Sequence, residues 1–521
     1  MTRIDTRLRV AEGIVAGRRG HRTRRGTISW RGIPFAAPPV GGGRFRRPSP
    51  VEPWAGVRDC TRFGPAPIQE RRFAMTAPGR IHPMSEDCLT LNVFSPEVES
   101  ATPRPVLVYI YGGAYVLGTT ATPLYDPSLL ARAQDVVVVT VAYRFGPFGM
   151  LDFSEYSTPE RPFDDNLGLA DHLAALQWVA SNIAVFGGDP ANVTIFGESA
   201  GGTSVLTLLA TPPAKGLFHH AIAQSPATEL TVGKQGAALF ADEFLRILAD
   251  PQRRNTDVEQ PREPIDPERA ARLLDGASAV ELLRAGNRLM GFARRAAVAE
   301  PVPFAPVSGS DLLPLAPLDA AREGRTHQVP LIVGSNRDEG KLFDKFWNML
   351  PDADRMLLRV ADSVARDEIA AQYSEGAADR LRLAADATFW APMMAFADGH
   401  SRRAATYVYR YDFFTSALGR AGVGATHGTE LFAVFGAYRL PLGVGLAVGD
   451  WRGVGRVIDR VQHRWGSFAR SGVPGDGWPR YRSATREILV IDRDDRVEVD
   501  PDSARRMAWQ GLYPVLPEII T

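Results

Sequence analysis

The sequence of 521 residues contains only two cysteines, Cys60 and Cys88, and its net charge at pH 7 is only +1. Two cysteines can form at most one disulfide, so the chain is not one of the small secreted domains that disulfides hold together. The near-zero charge argues against a nucleic-acid partner or an acidic membrane surface, because both are bound through an excess of positive charge.

Long apolar segments are also absent. No run approaches the ~20 residues that cross a bilayer, so no membrane span is expected. Residues 1–29 are rich in arginine and contain no apolar stretch of the kind found in secretory signals. We therefore expect a cytoplasmic protein. Cys60 and Cys88 are compatible with one disulfide, but in that compartment free thiols are expected.

The common cofactor motifs are missing too. The sequence has no H-E-x-x-H, no clustered Cys/His metal ligands and no Walker A motif. The glycines at 443, 445 and 449 are misspaced for a dinucleotide loop and follow no strand. The sequence therefore predicts neither a cofactor nor a metal.

A distinctive stretch is present at residues 193–204. A β-branched and aromatic run breaks at Gly197 and resumes as a helical start, and Gly197-Glu-Ser-Ala-Gly201 fits G-x-S-x-G. This motif is the nucleophile elbow, in which a strained turn between strand and helix exposes a serine. The bare pattern is more often a glycine-rich loop with an incidental serine, but the strand before it and the helix after it favour Ser199 as a nucleophile.

The order of segments predicts an α/β fold. The buried strands Pro105–Tyr111 and Asp135–Tyr143 precede the helix Leu167–Phe186 and the strand of the elbow, a succession typical of a mostly parallel twisted sheet flanked by helices. We interpret residues 1–521 as one domain, in which 230–298 and 341–404 are helical insertions that form cap elements.

A serine nucleophile needs a base, and an acid that orients the base. In elbow-type enzymes the acid follows the serine and the histidine follows the acid. His427 lies in a glycine-flanked loop after a strand, whereas His400 and His463 fall in helical patterns. The loop after Val333 offers Asp338 and Glu339, and the residues alone do not separate these two.

The negative oxygen of the reaction intermediate needs hydrogen-bond donors. In such enzymes they are the N–H after the nucleophile, here Ala200, and N–H groups of a glycine loop after an early strand. Gly112-Gly-Ala114 ends a predicted buried strand upstream of the elbow and is that loop.

With these motifs the sequence resembles the type B carboxylesterases, the cholinesterase-like branch of the α/β-hydrolase superfamily, along nearly its whole length. The segments that carry the resemblance are Ser85–Asn92, Tyr111–Ala114, Asn166–Leu169, Phe186–Pro190, Gly197–Gly202, Asp338–Gly340 and His427–Glu430.

The resemblance implies a serine carboxylesterase that works through a covalent acyl-enzyme. It implies a triad of Ser199, Glu339 and His427, with Glu339 chosen because the family places its acid directly before the glycine at 340. It likewise implies an oxyanion hole made by the N–H groups of Gly113, Ala114 and Ala200.

Two departures from the family matter. The family joins the cysteine at Cys88 to one in a Gly-Pro-Ala-Cys segment, where this chain has Gly64-Pro-Ala-Pro67. The tryptophan and the aromatic residue that stack on choline in cholinesterases are also missing, and Leu342 stands at the second of these positions. We therefore expect an uncharged carboxylic ester as substrate.

The remaining predictions concern the pocket, the partners and the alternatives. Tyr115, Phe343, Phe389 and Trp390 are candidate pocket walls. The expected partner is a small-molecule ester, and the expected state is a monomer or homodimer. An amidase, lactonase or carbamate hydrolase could use the same triad, and a non-catalytic binding member of the family is the alternative from another class.

Overall fold

A computed structural model describes residues 3–77, 79–252, 265–295, 302–346, 350 and 352–513. Parts of the predicted insertion 230–298 therefore lie outside the described residues. The described strands are β1 (Arg7–Val10), β2 (Gly13–Ala16), β3 (Arg18–Arg19), β4 (Thr27–Pro34), β5 (Val57–Asp59), β6 (Met75–Ala77), β7 (Arg80–Ile81), β8 (Thr90–Pro96), β9 (Arg104–Ile110), β10 (Val137–Val141), β11 (Gly188–Glu198), β12 (His220–Gln224), β13 (Val232–Gly233), β14 (Val307–Ser308), β15 (Leu331–Asn336), β16 (Thr406–Tyr411), β17 (Glu487–Ile491) and β18 (Arg496–Val499).

Helices cover this framework. The described α-helices are α1 (Ser128–Gln134), α2 (Leu167–Asn182), α3 (Ala200–Leu209), α4 (Lys234–Ala249), α5 (Pro267–Gly276), α6 (Ala279–Arg295), α7 (Pro317–Arg322), α8 (Gly340–Phe346), α9 (Ala353–Leu358), α10 (Ser363–Ala370), α11 (Ala377–Ala385), α12 (Ala391–Ser401), α13 (Ser416–Arg420), α14 (Leu431–Val434), α15 (Pro441–Ala447), α16 (Trp451–Ser471) and α17 (Ser503–Trp509).

An eleven-stranded sheet forms the centre of the molecule, in the order β18-β17-β16-β15-β12-β11-β9-β10-β8-β4-β3. The neighbours from β17 to β10 all pair in parallel, while β18 at one edge and β8, β4 and β3 at the other pair antiparallel. The prediction of a mostly parallel sheet is therefore confirmed.

The central strands are apolar because both faces of the sheet are covered. Every residue of β10 is buried, and so is every residue of β15. In register, Val139 pairs with Val108 of β9, and Ile195 of β11 pairs with the same residue from the other side. Continuous β-branched runs of this kind are expected where helices lie on both faces of a parallel sheet.

Several helices match the sequence patterns, and one begins earlier than predicted. The predicted helix Leu167–Phe186 is α2 followed by a 3-10 turn, Ile183–Phe186. The pattern predicts a helix only from 457, but α16 starts at Trp451. Gly453 and Gly455 weaken the local helical signal, and burial of Val454 compensates for it.

The two predicted cap segments are largely helical where they are described. The first contains α4, α5 and α6, and the second contains α8 to α12 with a π-helical turn at Asp386–Trp390. π-turns of this kind are often found at functional sites.

Cys60 and Cys88 are both free, buried thiols. Burial raises the pKa of Cys60 to about 12, so this thiol stays protonated at neutral pH. None of the described helices combines the length and the apolar character needed to cross a membrane.

Candidate active site

The predicted site residues follow neighbouring parallel strands. Gly112 comes after β9, Ser199 after β11 and Glu339 after β15, while His427 lies in the loop that follows β16. Carboxyl ends of parallel strands meet at one edge of a sheet, where α/β proteins bind ligands. Residues that are 315 positions apart, such as 112 and 427, thus come together.

Ser199 occupies a strained turn between β11 and α3. Its φ is 58° and its ψ is −126°, a conformation that L residues rarely adopt. Its N–H donates to the carbonyl of Gln224 at 2.9 Å, which holds the turn against the next strand. A Cβ at Gly201 would lie 2.0 Å from the carbonyl oxygen of Ile110. The second glycine of the motif is therefore required by the close approach of β9.

The structure separates the two acids that the sequence left open. Glu339 Oε2 lies 2.6 Å from His427 Nδ1, and Glu339 Oε1 accepts the N–H of Asn336 at 2.7 Å. Asp338 instead accepts the N–H of Ala425 at 3.1 Å. Glu339 thus contacts the imidazole, and Asp338 anchors the backbone of the histidine loop.

Two further buried acids, Glu198 and Glu430, lie close to His427. Oε1 of Glu198 lies 3.1 Å from Nε2 of His427, but these two atoms make no hydrogen bond with any described residue. Glu430 accepts hydrogen bonds from the side-chain amides of Asn336 and Gln224. Nε2 of the imidazole therefore faces one buried carboxylate, and Nδ1 faces another, that of Glu339.

Burial and mutual repulsion set the ionisation of these groups. Burial raises the pKa of both Glu198 and Glu430 above the ordinary value of a carboxyl group. Burial alone would lower the pKa of His427, but the carboxylates of Glu198 and Glu339 outweigh it and raise that pKa to about 9. The cluster thus favours the protonated imidazole that a general base forms.

Sequence reasoning missed both Glu198 and Glu430. Glu198 is the second residue of the G-x-S-x-G motif, and Glu430 comes three residues after His427. A charged side chain inside the apolar run of β11 was an available signal, because acids are rarely buried without a partner.

The loop after β9 presents free N–H groups beside Ser199. Gly113 and Ala114 have φ values of 122° and 52°. In the described part of the chain, no carbonyl accepts the N–H of Gly113, Ala114 or Ala200. A Cβ on Gly112 would lie 2.9 Å from Ser199 Cβ, so the loop closely approaches the serine. This arrangement can stabilise a negative oxygen.

These groups open into one cavity of about 1600 Å³. Phe343 and Phe389 line it and pack on the ring of His427, with ring centroids 4.9 and 4.7 Å away. Other residues that line it are Leu117, Leu124, Leu230, Met290, Arg294, Arg355, Arg359, Leu418, Val423, Phe432 and Leu446. The size and mostly apolar lining suit an organic small molecule.

Two predicted pocket residues lie elsewhere. Tyr115 is fully buried, and its hydroxyl is 3.0 Å from Ser204 Oγ. Trp390 packs under the guanidinium of Arg505 at 5.3 Å. Neither is among the described residues that line the cavity. The structure thus corrects the prediction for these two aromatic residues.

The sheet order and the serine turn define an α/β-hydrolase. The model of the carboxylesterase family matches residues 4–509, and the chain belongs to that family. It is similar to the para-nitrobenzyl esterase of Bacillus subtilis, with 36% identity over 504 residues that cover 94% of this chain and 96% of that protein.

Other relatives agree with this assignment. The liver carboxylesterase of Sus scrofa is 34% identical over 525 residues, covering 92% of this chain and 87% of that protein. Among solved structures, a thermophilic para-nitrobenzyl (PNB) esterase superposes with a TM-score of 0.85 at 34% identity and covers 97% of this chain and 99% of its own. A carboxylesterase of Geobacillus stearothermophilus gives a TM-score of 0.80 at 34% identity, covering 97% of this chain and 100% of its own.

Proposed function

We propose that the protein is a cytoplasmic serine carboxylesterase that hydrolyses uncharged carboxylic esters through a triad of Ser199, His427 and Glu339. The observation that carries the proposal is the 2.6 Å contact between Glu339 Oε2 and Nδ1 of His427, a histidine that lines the same cavity as Ser199. That contact orients the imidazole so that Nε2 is left for the serine proton.

The proposed reaction has two steps. His427 takes the proton of Ser199 as its oxygen attacks the ester carbonyl, and the N–H groups of Gly113, Ala114 and Ala200 stabilise the negative oxygen. The imidazolium then protonates the departing alcohol. Water, activated by His427, hydrolyses the acyl-enzyme and restores the serine.

The apolar side chains near the triad agree with a substrate that is uncharged at the reacting ester. Phe343, Phe389 and Leu342 surround the imidazole side of the cavity, and apolar walls bind neutral acyl and alcohol groups through burial of surface.

The test combines labelling with turnover. An organophosphate should label the wild type stoichiometrically on the peptide that contains Ser199, and Ser199→Ala should abolish both the label and the hydrolysis of p-nitrophenyl esters from acetate to palmitate. Ser204→Ala is the matched control, because Ser204 is also a buried serine of the same segment. The proposal fails if Ser199→Ala keeps its activity, or if the folded wild type hydrolyses none of these esters.

A further inference from the structure

The cavity carries positive charge on one side. Three arginines line it, Arg294 at the end of α6 and Arg355 and Arg359 at α9. We call these three residues the arginine wall. Among the described residues of 416–447 that line the cavity, His427 is the one titratable side chain, and most of the others are apolar, among them Leu418 and Phe432. The cavity therefore combines apolar walls with these three arginines, and Glu198 and Asp352 are the acids among its described lining residues.

Within the described part of the chain, carboxylates neutralise this wall only in part. Arg355 donates to the main-chain carbonyl of Arg294 rather than to a carboxylate. The adjacent acid Asp354 pairs with Arg380 at 2.6 Å instead. Asp352 lines the cavity, but its carboxylate accepts the N–H groups at the start of α9.

The third arginine has a loose partner. Arg359 lies 3.8 Å from Glu229, near the limit for an ion pair, and its side chain is 37% exposed. Exposed pairs of this kind contribute little and exchange readily with other anions. The guanidinium groups thus remain able to bind an anion from solution.

Packing contacts connect the wall to the triad. Phe343, which packs on His427, forms a cluster with Phe389, and Leu230 and Leu350 pack against that cluster. Leu230 directly follows Glu229, the partner of Arg359. A substrate that runs along this cluster from the serine therefore arrives at the wall.

From these observations we infer that the arginine wall binds a carboxylate carried by the substrate, remote from the ester that is cleaved. The preferred substrates are then esters that carry a free carboxylate on either the acyl or the alcohol side. This inference rests on the proposed esterase function. Neutral esters remain substrates, because the wall adds binding at a distance from the reacting bond.

The test compares each acid with its own methyl ester. One pair, the p-nitrophenyl monoester of glutaric acid and its methyl ester, carries the acid on the acyl side. The other pair, 4-acetoxybenzoic acid and its methyl ester, carries it on the alcohol side. The wild type should prefer the acid, by kcat/KM, in at least one pair. In that pair Arg355→Gln and Arg359→Gln should each lower the acid-to-methyl-ester ratio about three- to fivefold, as should 1 M NaCl.

Arg380→Gln is the control, since Arg380 is an exposed arginine that pairs with Asp354 and is not among the described lining residues. Its ratio should equal that of the wild type. The inference is overturned if Arg355→Gln and Arg359→Gln leave both ratios unchanged, or if Arg380→Gln lowers them equally. A failure of the esterase proposal is distinct, because then neither the acids nor the methyl esters are hydrolysed.

Discussion

The neighbouring acids Asp338 and Glu339 allow a sharp test of the site. Both are largely buried and adjacent in sequence, yet one contacts the imidazole of His427 and the other the backbone of Ala425. Glu339→Gln and Asp338→Asn make the same chemical change, one carboxylate to its amide, in these two settings. The pair therefore separates orientation of the histidine from anchoring of its loop.

The structure gives the size of the expected difference. Opposite charges about 4 Å apart attract by about 4 kcal/mol at an effective dielectric constant of 20, and the 2.6 Å contact between Glu339 and His427 is closer than that. About 4 kcal/mol corresponds to about 10³ in rate. In a serine protease the same acid-to-amide change lowers kcat about 10⁴-fold, because the imidazole adopts the wrong tautomer. We expect Glu339→Gln to lower kcat/KM about 10³- to 10⁴-fold.

Asp338→Asn should cost less than about tenfold, because the amide oxygen can still accept the N–H of Ala425. The assay is kcat/KM for p-nitrophenyl butyrate, with circular dichroism to show that both variants are folded. A folded Glu339→Gln within tenfold of the wild type, or an equal loss in Asp338→Asn, would refute the assignment of the acid.

Three further predictions concern other buried groups. Glu198 helps to raise the pKa of His427 to about 9. Glu198→Gln should therefore shift the acid limb of the pH profile of kcat/KM to lower pH by about one unit. An acid limb that does not move would contradict this. Gly201→Ala would bring a Cβ to 2.0 Å from a carbonyl oxygen, so it should lower the free energy of unfolding, measured in urea, by about 3 kcal/mol. Gly455→Ala lies at an open helix position and should raise that free energy by about 0.5–1 kcal/mol. Equal unfolding midpoints for the two variants would be evidence against the turn geometry. Burial raises the pKa of Asp386 from 3.8 to about 6, so this group's contribution to stability falls by about 3 kcal/mol as pH rises through that window. Asp386→Asn should remove this pH dependence. The idea fails if the free energies of unfolding of wild type and variant differ by the same amount at pH 4 and pH 7.

Much of the fold and part of the site follow from local sequence. The continuous apolar strands predict a sheet that helices cover on both faces. The glycines at 197 and 201 mark a turn that is too tight for a side chain. The glycine loop at 112–114 and the flanked His427 were visible for the same reason, because turn chemistry depends on a few adjacent residues.

Local sequence cannot assign side chains that face each other across the molecule. Asp338 and Glu339 differ only in which of them reaches the imidazole, and that depends on where the loop after β16 packs. Tyr115 and Trp390 have the composition of pocket walls but pack elsewhere, since the direction of a side chain depends on its backbone and neighbours.

The sequence by itself thus determined the class of fold, the nucleophile turn and the residues able to act as base. Only the tertiary structure placed Glu339 Oε2 2.6 Å from His427 Nδ1, and it alone revealed Glu198 and Glu430 near the imidazole and Arg355 and Arg359 in the same cavity as Ser199. The physical reason is that elements and turns arise from neighbours in sequence, whereas the charge and shape of a cavity arise from helices that the fold brings together over hundreds of residues.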